Sequence, residues 1–136
     1  MPTKISFPYQ YKLIRNEKIA DPVIYLNTFT QLGVRKIGFL VDSGADTCVL
    51  PLAPYHFWFN FTPDQSTKIM LGGIEGRGVG AYPSKITLQI GNESITVHCY
   101  FVKSNCLPLL GRLNIWDKFN ISFDNKKEQV VFEKLK

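Results

Sequence analysis

The chain has 136 residues, 45% hydrophobic and 13% aromatic, a composition that fits one folded domain and excludes the disordered class. Sixteen Lys and Arg against eleven Asp and Glu give a net charge of +5. The basic residues (Lys12, Arg15, Lys18, Arg35, Lys36, Lys126 and Lys127 among them) are scattered, and no zinc-finger, RNP or dinucleotide-binding spacing accompanies them, so no nucleic-acid partner is expected.

No segment is long and apolar enough to span a membrane, and no basic stretch followed by an apolar core marks a signal peptide. A cytoplasmic location is therefore expected, and Met1 suggests a complete reading frame. The three cysteines, Cys48, Cys99 and Cys106, are odd in number, match no zinc pattern and lie in apolar segments. They read as small core residues in a reducing compartment, with no metal or cofactor. The sequons at Asn60, Asn92 and Asn120 then read as chance matches. A core of this size buries modest surface, so association would help.

In chain order, residues 1–20 are mixed and polar and read as a loose arm or edge strand, leaving 21–136 as the single domain. DPVIYLNTF (21–29) is a β-rich run after an Asp-Pro turn signal, and RKIGFLVD (35–42) is a second. CVLPL (48–52) is a short apolar strand ended by Pro51 and Pro54. The aromatic run 55–61 is of uncertain structure and reads as local core rather than an exposed partner site.

KITLQI (85–90) alternates, with Ile86, Leu88 and Ile90 on one face. Gly91-Asn92-Glu93 is a hairpin turn signal, after which Ile95, Val97, Cys99 and Phe101 share one face and His98 and Tyr100 the other. His98 reads as an ordinary strand residue. RLNIWDKF (112–119) is read as a short helix with Leu113, Trp116 and Phe119 facing the core. The remainder reads as a hairpin turning at Asp124-Asn125-Lys126-Lys127. The fold expected is mostly β: about eight strands and one short C-terminal helix, arranged as a barrel or sandwich.

Three stretches carry the candidate chemistry. FLVDSGAD (39–46) runs an apolar strand into Asp42, and an acid there costs free energy unless it is paired or hydrogen-bonded. Gly44 permits a close turn, and Ser43 offers a hydroxyl that can bond to another backbone. Alone, Asp-Ser-Gly is the composition of a plain turn. The second stretch, KIMLGGIEGRGVGAY (68–82), holds five glycines within nine residues. No Lys-Ser/Thr follows, which disfavours a phosphate cradle. A hairpin able to close over a peptide fits better. The third, LPLLGRLNIW (107–116), places Arg112 directly after a buried strand, where it needs an anionic partner; Asp46 is the obvious one. No serine- or cysteine-protease signature, phosphate-binding loop or H-E-x-x-H is present.

VDSGAD, GGIEG and LLGR, in this order, resemble the retropepsin-like aspartic proteases, over roughly residues 20 to 132. The C-terminal DKFNISFDNKKEQVVF looks closer to the eukaryotic, ubiquitin-linked members than to the short retroviral tail. Ser43 stands where Thr is commoner, Glu75 where Gly is frequent in the flap tip, and Leu113 where retroviral members often carry a polar residue.

The resemblance implies a closed β-barrel with a flap hairpin and a C2 homodimer with peptide or protein substrates. It implies Asp42 as the catalytic acid and Ser43, Gly44 and Ala45 as the loop that supports it. Gly44, Asp46, Gly72, Gly73 and Ile74 would bind the substrate backbone, Ile74 through a water, and Asp46 would pair with Arg112. Leu40, Val49, Leu107 and Leu109 are candidate pocket walls, equally readable as plain core. The chain has one Asp-Ser-Gly. Because the chemistry needs two carboxylates sharing a proton, a second chain must supply the other, with the C-terminal hairpin and the N-terminal arm joining the dimer sheet. Ala45 in place of a hydroxyl residue implies a mildly acidic to near-neutral pH optimum. The alternative is a peptide-binding or dimerisation module of this fold with little turnover.

Overall fold

A computed structural model describes residues 3–72 and 78–136. Twelve strands form among them: β1 (Lys4–Pro8), β2 (Gln10–Ile14), β3 (Glu17–Asp21), β4 (Val23–Thr30), β5 (Gly33–Val41), β6 (Cys48–Pro51), β7 (Ile69–Leu71), β8 (Val79–Ile90), β9 (Glu93–Val102), β10 (Leu109–Leu110), β11 (Phe119–Asp124) and β12 (Gln129–Lys134). The one α-helix among the described residues, α1 (Leu52–Trp58), follows β6 directly, and a single 3-10 turn covers Gln65–Thr67.

The main sheet runs β4-β5-β10-β6-β9-β8-β7, and β4 also pairs with β8. Its longest pairing, β8 with β9, turns at Gly91-Asn92, where Gly91 takes φ +61 at little steric cost. The alternation read from the sequence is present: Ile86, Leu88 and Ile90 on β8 and Ile95, Val97, Cys99 and Phe101 on β9 are all buried. They meet Ile24 and Leu26 of β4, Ile37 and Phe39 of β5, and Cys48 and Leu50 of β6 in one core. Each such side chain contributes roughly 1.5–3 kcal/mol by leaving water.

Of the two readings of the first twenty residues, a loose arm or an edge strand, the structure shows strands, with an edge strand among them. β1 takes the edge of a second sheet, β1-β12-β11, where Phe132 meets Phe7 and Phe119 edge-on. β2 and β3 form a separate hairpin across Arg15-Asn16, both residues at positive φ, as a tight two-residue turn demands. The Tyr11 hydroxyl donates to Glu128, and the Tyr9 hydroxyl lies 2.6 Å from the Asn125 side-chain oxygen. Both contacts hold the hairpin to the turn between β11 and β12. That turn falls at 125–128, one residue later than the sequence reading placed it.

The helix expected at 112–119 is absent. Asn114 adopts φ +70, a left-handed conformation that Asn tolerates and a right-handed helix cannot continue through. Two successive tight turns replace it, closed by bonds from Ile115 and Trp116 N–H to Arg112 O and from Lys118 and Phe119 N–H to Ile115 O. Ile115 and Phe119 are therefore the buried residues, while Leu113 and Trp116 are about half exposed. The Asn114 side chain accepts a bond from His98 N–H at 2.9 Å, locking these turns to β9.

The helix lies instead in the aromatic run. Ala53 is non-helical, so the regular turn starts at Pro54, where a missing N–H costs nothing. Phe61 stacks on Phe101 at 4.6 Å, and Tyr55 meets Trp58 edge-on at 5.0 Å. Of the Phe, Tyr and Trp side chains in the run, Phe57 alone is largely exposed.

Candidate active site

β5 delivers Asp42. The strand is held on one side by β4 and on the other by a parallel contact with β10, in which Leu40 faces Leu109 and Val41 faces Leu110. Asp42 N–H donates to Leu110 O at 3.1 Å, so the acid leaves the sheet at a fixed point. Its carboxylate turns back on the chain and accepts the Gly44 N–H at 2.9 Å, while the Ala45 N–H donates to Asp42 O at 3.2 Å. A Cβ at position 44 would lie 3.3 Å from Asp42 Oδ1, a tight contact to which the carboxylate would have to give by a few tenths of an ångström. Asp42 is half-buried; Ser43 and Gly44 are exposed.

Immediately after β10 the chain crosses the other arm of this loop. An added Cβ at Gly111 would lie 2.3 Å from Thr47 O and 2.4 Å from Thr47 C, so only glycine permits the crossing. The next two residues bond the same loop: Arg112 N–H to Ala45 O at 3.0 Å and Leu113 N–H to Asp46 O at 2.9 Å. The Arg112 guanidinium pairs with the Asp46 carboxylate and stands 5.8 Å from the Trp116 ring centroid. Both charged side chains reach water, so the pair adds little stability. Its effect is to aim Asp46.

Two concavities flank the loop. One, of ≈ 170 Å³, lies against Asp42 and Ser43 and is otherwise apolar: Val41, Leu110, Trp116, Ile121 and Phe123. The other, of ≈ 570 Å³, is bounded by Ala45, Asp46, Thr47, Val49, Leu71, Gly72 and Tyr100. Sequence reasoning found Asp46, Val49 and Gly72 for this second space and missed Thr47, Leu71 and Tyr100. Leu40, Leu109 and Val49 come together, because β10 lies between β5 and β6 and Leu109 faces both of the others. Leu107 stands apart, outside any strand and about half exposed. Gly73 and Ile74 lie outside the described residues. β7 and β8 pair on either side of them, Leu71 opposite Val79.

Cys48 and Cys99 face each other across β6 and β9 in the core. Burial pushes the Cys48 thiol up to about 11 and raises that of Cys99 as well, so neither is a nucleophile. Cys106, half-buried, is raised by the same cause.

Asp42 thus ends a strand in an Asp-Ser-Gly loop that is clamped by the Gly111-Arg112 crossing. The family model for retroviral aspartyl protease matches residues 22–120. The chain belongs to that family. Its fold is similar to EIAV protease, solved in complex with the inhibitor HBY-793, with 22% identity, a TM-score of 0.54, and 74% of this chain and 88% of that one covered. It is also similar to a retropepsin-like aspartic protease from Rickettsia conorii, at 18% identity and a TM-score of 0.60, covering 96% of this chain and 90% of that one. No curated protein matches. No helix among the described residues is long and apolar enough to cross a membrane.

Proposed function

We propose that the chain is a homodimeric aspartic endopeptidase in which Asp42 of each of two copies forms one shared dyad. One observation carries the reading. Among the described residues Asp42 is the only acid lining the concavity that holds it, and the surface around it is apolar, with Trp116 and Phe123 about half exposed. A lone carboxylate cannot act as both acid and base. A second copy related by a two-fold axis beside Asp42 supplies the missing group and covers the apolar surface.

Two carboxylates about 3 Å apart share one proton. The ionised member takes a proton from a water as that water attacks the scissile carbonyl; the protonated member donates to the carbonyl oxygen. The proton then passes to the leaving amine. In this reading Ser43 bonds across the axis. Gly44, Asp46 and Gly72 hold the substrate backbone as an added strand, with Gly73 and Ile74 completing the flap. Leu40, Val49, Leu107 and Leu109 accept apolar side chains.

The ring of pairings from β4 through β5, β10, β6, β9 and β8 back to β4 supports a closed barrel. The β11–β12 hairpin, long as in the ubiquitin-linked members, lies beside the apolar surface and joins the dimer sheet. The three free cysteines fit a reducing, cytoplasmic setting.

The test is a peptide-library cleavage assay of wild type and Asp42→Asn, with a statine-type inhibitor as control. Wild type cuts and is inhibited, and the variant does not cut. Cleavage that survives the substitution rejects the mechanism. No cleavage by either form of a stable dimer assigns the chain to peptide binding instead.

A further inference from the structure

The far end of β5 from Asp42 carries an apolar surface that the site does not use. The strand runs nine residues from Gly33 to Val41, so about 30 Å of chain, at roughly 3.3 Å per residue, separates that end from the acid. There the turn between β4 and β5 is fixed by its own bonds: Thr30 Oγ1 donates to Gly33 O at 2.6 Å and accepts the Leu32 N–H at 3.0 Å. Gln31 N–H donates to Trp58 O at 2.9 Å and the Gln31 carboxamide donates to Phe57 O, which sets Leu32 beside the end of α1. Phe29 and Val34 face each other across the two strands just behind the turn. Phe29, Leu32, Val34 and Phe57 are 38% to 58% exposed, so the aromatic run read as local core sends Phe57 outward to join them.

The segments that build this end bring cations and no acid. Arg35 folds back to donate to Val34 O at 3.3 Å, Lys36 follows it, and Lys85 lies on β8 two residues before Thr87, which faces Phe29. None of the three forms an ion pair among the described residues. Residues 22–41, 52–61 and 83–90 contain no Asp or Glu. Asp64, the next acid after α1, is taken up by the N–H and hydroxyl of Ser66. This chemistry selects the occupant. A second copy, placed here by a two-fold axis, would set the cations against themselves. A turn and a helix end project rather than enclose, so they offer a peptide side chain no pocket. A bilayer interface closes around a projecting Leu and Phe and sets anionic headgroups against the cations behind them. Going beyond the peptidase reading and independent of it, we propose that this end of the chain docks on an anionic lipid surface, with Leu32 and Phe57 in the interface and Arg35, Lys36 and Lys85 on the headgroups.

The probes are vesicles of phosphatidylcholine and phosphatidylserine in equal parts and vesicles of phosphatidylcholine alone, titrated against the full chain and read by co-sedimentation. Wild type binds the mixed vesicles at least about tenfold more tightly than the neutral ones, since each cation at an anionic surface contributes about fivefold. Leu32→Ser with Phe57→Ser weakens binding about tenfold or more. Lys36→Gln with Lys85→Gln does the same, and decides the matter should the apolar variant fail to fold. Lys126→Gln with Lys127→Gln removes equal charge from the turn between β11 and β12 and changes binding by less than about twofold. Equal binding to both vesicles, binding to neither, or as large a loss in the Lys126 and Lys127 variant overturns the assignment. So does capture of a Glu-Leu repeat peptide without capture of the mixed vesicles, which points to an acidic protein partner instead. Peptide cleavage does not enter the readout, so this proposal and the peptidase reading fail separately.

Discussion

Gly111→Ala isolates the joint on which the site depends. The added methyl would sit 2.3, 2.4 and 2.8 Å from the carbonyl oxygen, carbonyl carbon and Cα of Thr47. Ordinary contact at such a position is 3.4–4 Å, so relief needs a separation of about 1 Å between two backbones. No side-chain rotation provides it, because every obstructing atom is main chain. Overpacking typically costs 1–3 kcal/mol, and a backbone obstruction belongs at or above the upper end. The same change at an unhindered glycine gains about 0.4–1 kcal/mol by stiffening the unfolded chain. Net destabilisation of about 3 kcal/mol is therefore the expectation. Urea unfolding at fixed protein concentration reads it as a lower midpoint with unchanged slope. Gly72→Ala, with nothing among the described residues within 4 Å of the added methyl, is the control and should stay within about 0.5 kcal/mol of wild type. Arg112 and Leu113 follow Gly111 and bond Ala45 and Asp46, so the displacement also moves the Asp42 loop. Peptide cleavage should fall more than the unfolded fraction explains. A Gly111→Ala protein as stable as the Gly72→Ala control would refute the crossing as drawn.

Trp116→Ala with Phe123→Asp should shift the sedimentation profile toward monomer and make cleavage steeply concentration-dependent; full association in the double variant would remove the apolar face beside Asp42 from the interface. Cleavage should follow a bell-shaped pH profile, because the shared proton must be present once and only once, and a maximum below about pH 3 would contradict the dyad environment read from Ala45. Thiol labelling of the native protein should modify Cys106 first and leave Cys48 and Cys99 protected until unfolding; three equally fast thiols would contradict their burial. The Tyr11 bond to Glu128 raises the phenol from 10 to about 12, so its contribution is full below pH 10 and lost as pH rises through about 12. Phenolate absorbance should show a late-titrating tyrosine that vanishes in Glu128→Gln.

Local pattern carried the reading wherever one strand meets the next along the chain. The period-2 alternation of 86–90 and 95–101, with Gly91-Asn92 between, specified both strands, their turn and their buried face. The Asp-Ser-Gly turn and the need of Arg112 for an anion were legible for the same reason: each is a local chemical demand. Failures came where a single backbone angle or a distant pairing decided. Leu113, Trp116 and Phe119 have helical spacing, but Asn114 at φ +70 ends the helix, and periodicity is blind to that. Pro54 reads equally as the end of a strand or the first turn of a helix, and the run behind it concealed α1.

Tyr100 shows the limit most clearly. Its face on β9 was readable, yet its partner Val49 is fifty-one residues away by a parallel pairing that no hairpin signal announces. The Gly111 crossing is non-local in the same way, bringing 111 against 47. Sequence motifs therefore picked out features made by adjacent residues, but not the row of Leu40, Leu109, Val49 and Tyr100, which exists only once β10 has slotted between β5 and β6. The division has a physical consequence. The core closes within one chain, with Phe132, Phe101 and Leu50 fully buried, whereas the surface around Asp42 does not. The core is thus complete in the single copy, while under the proposed dimer the half-exposed Trp116 and Phe123 and the carboxylate of Asp42 are what a second copy would complete.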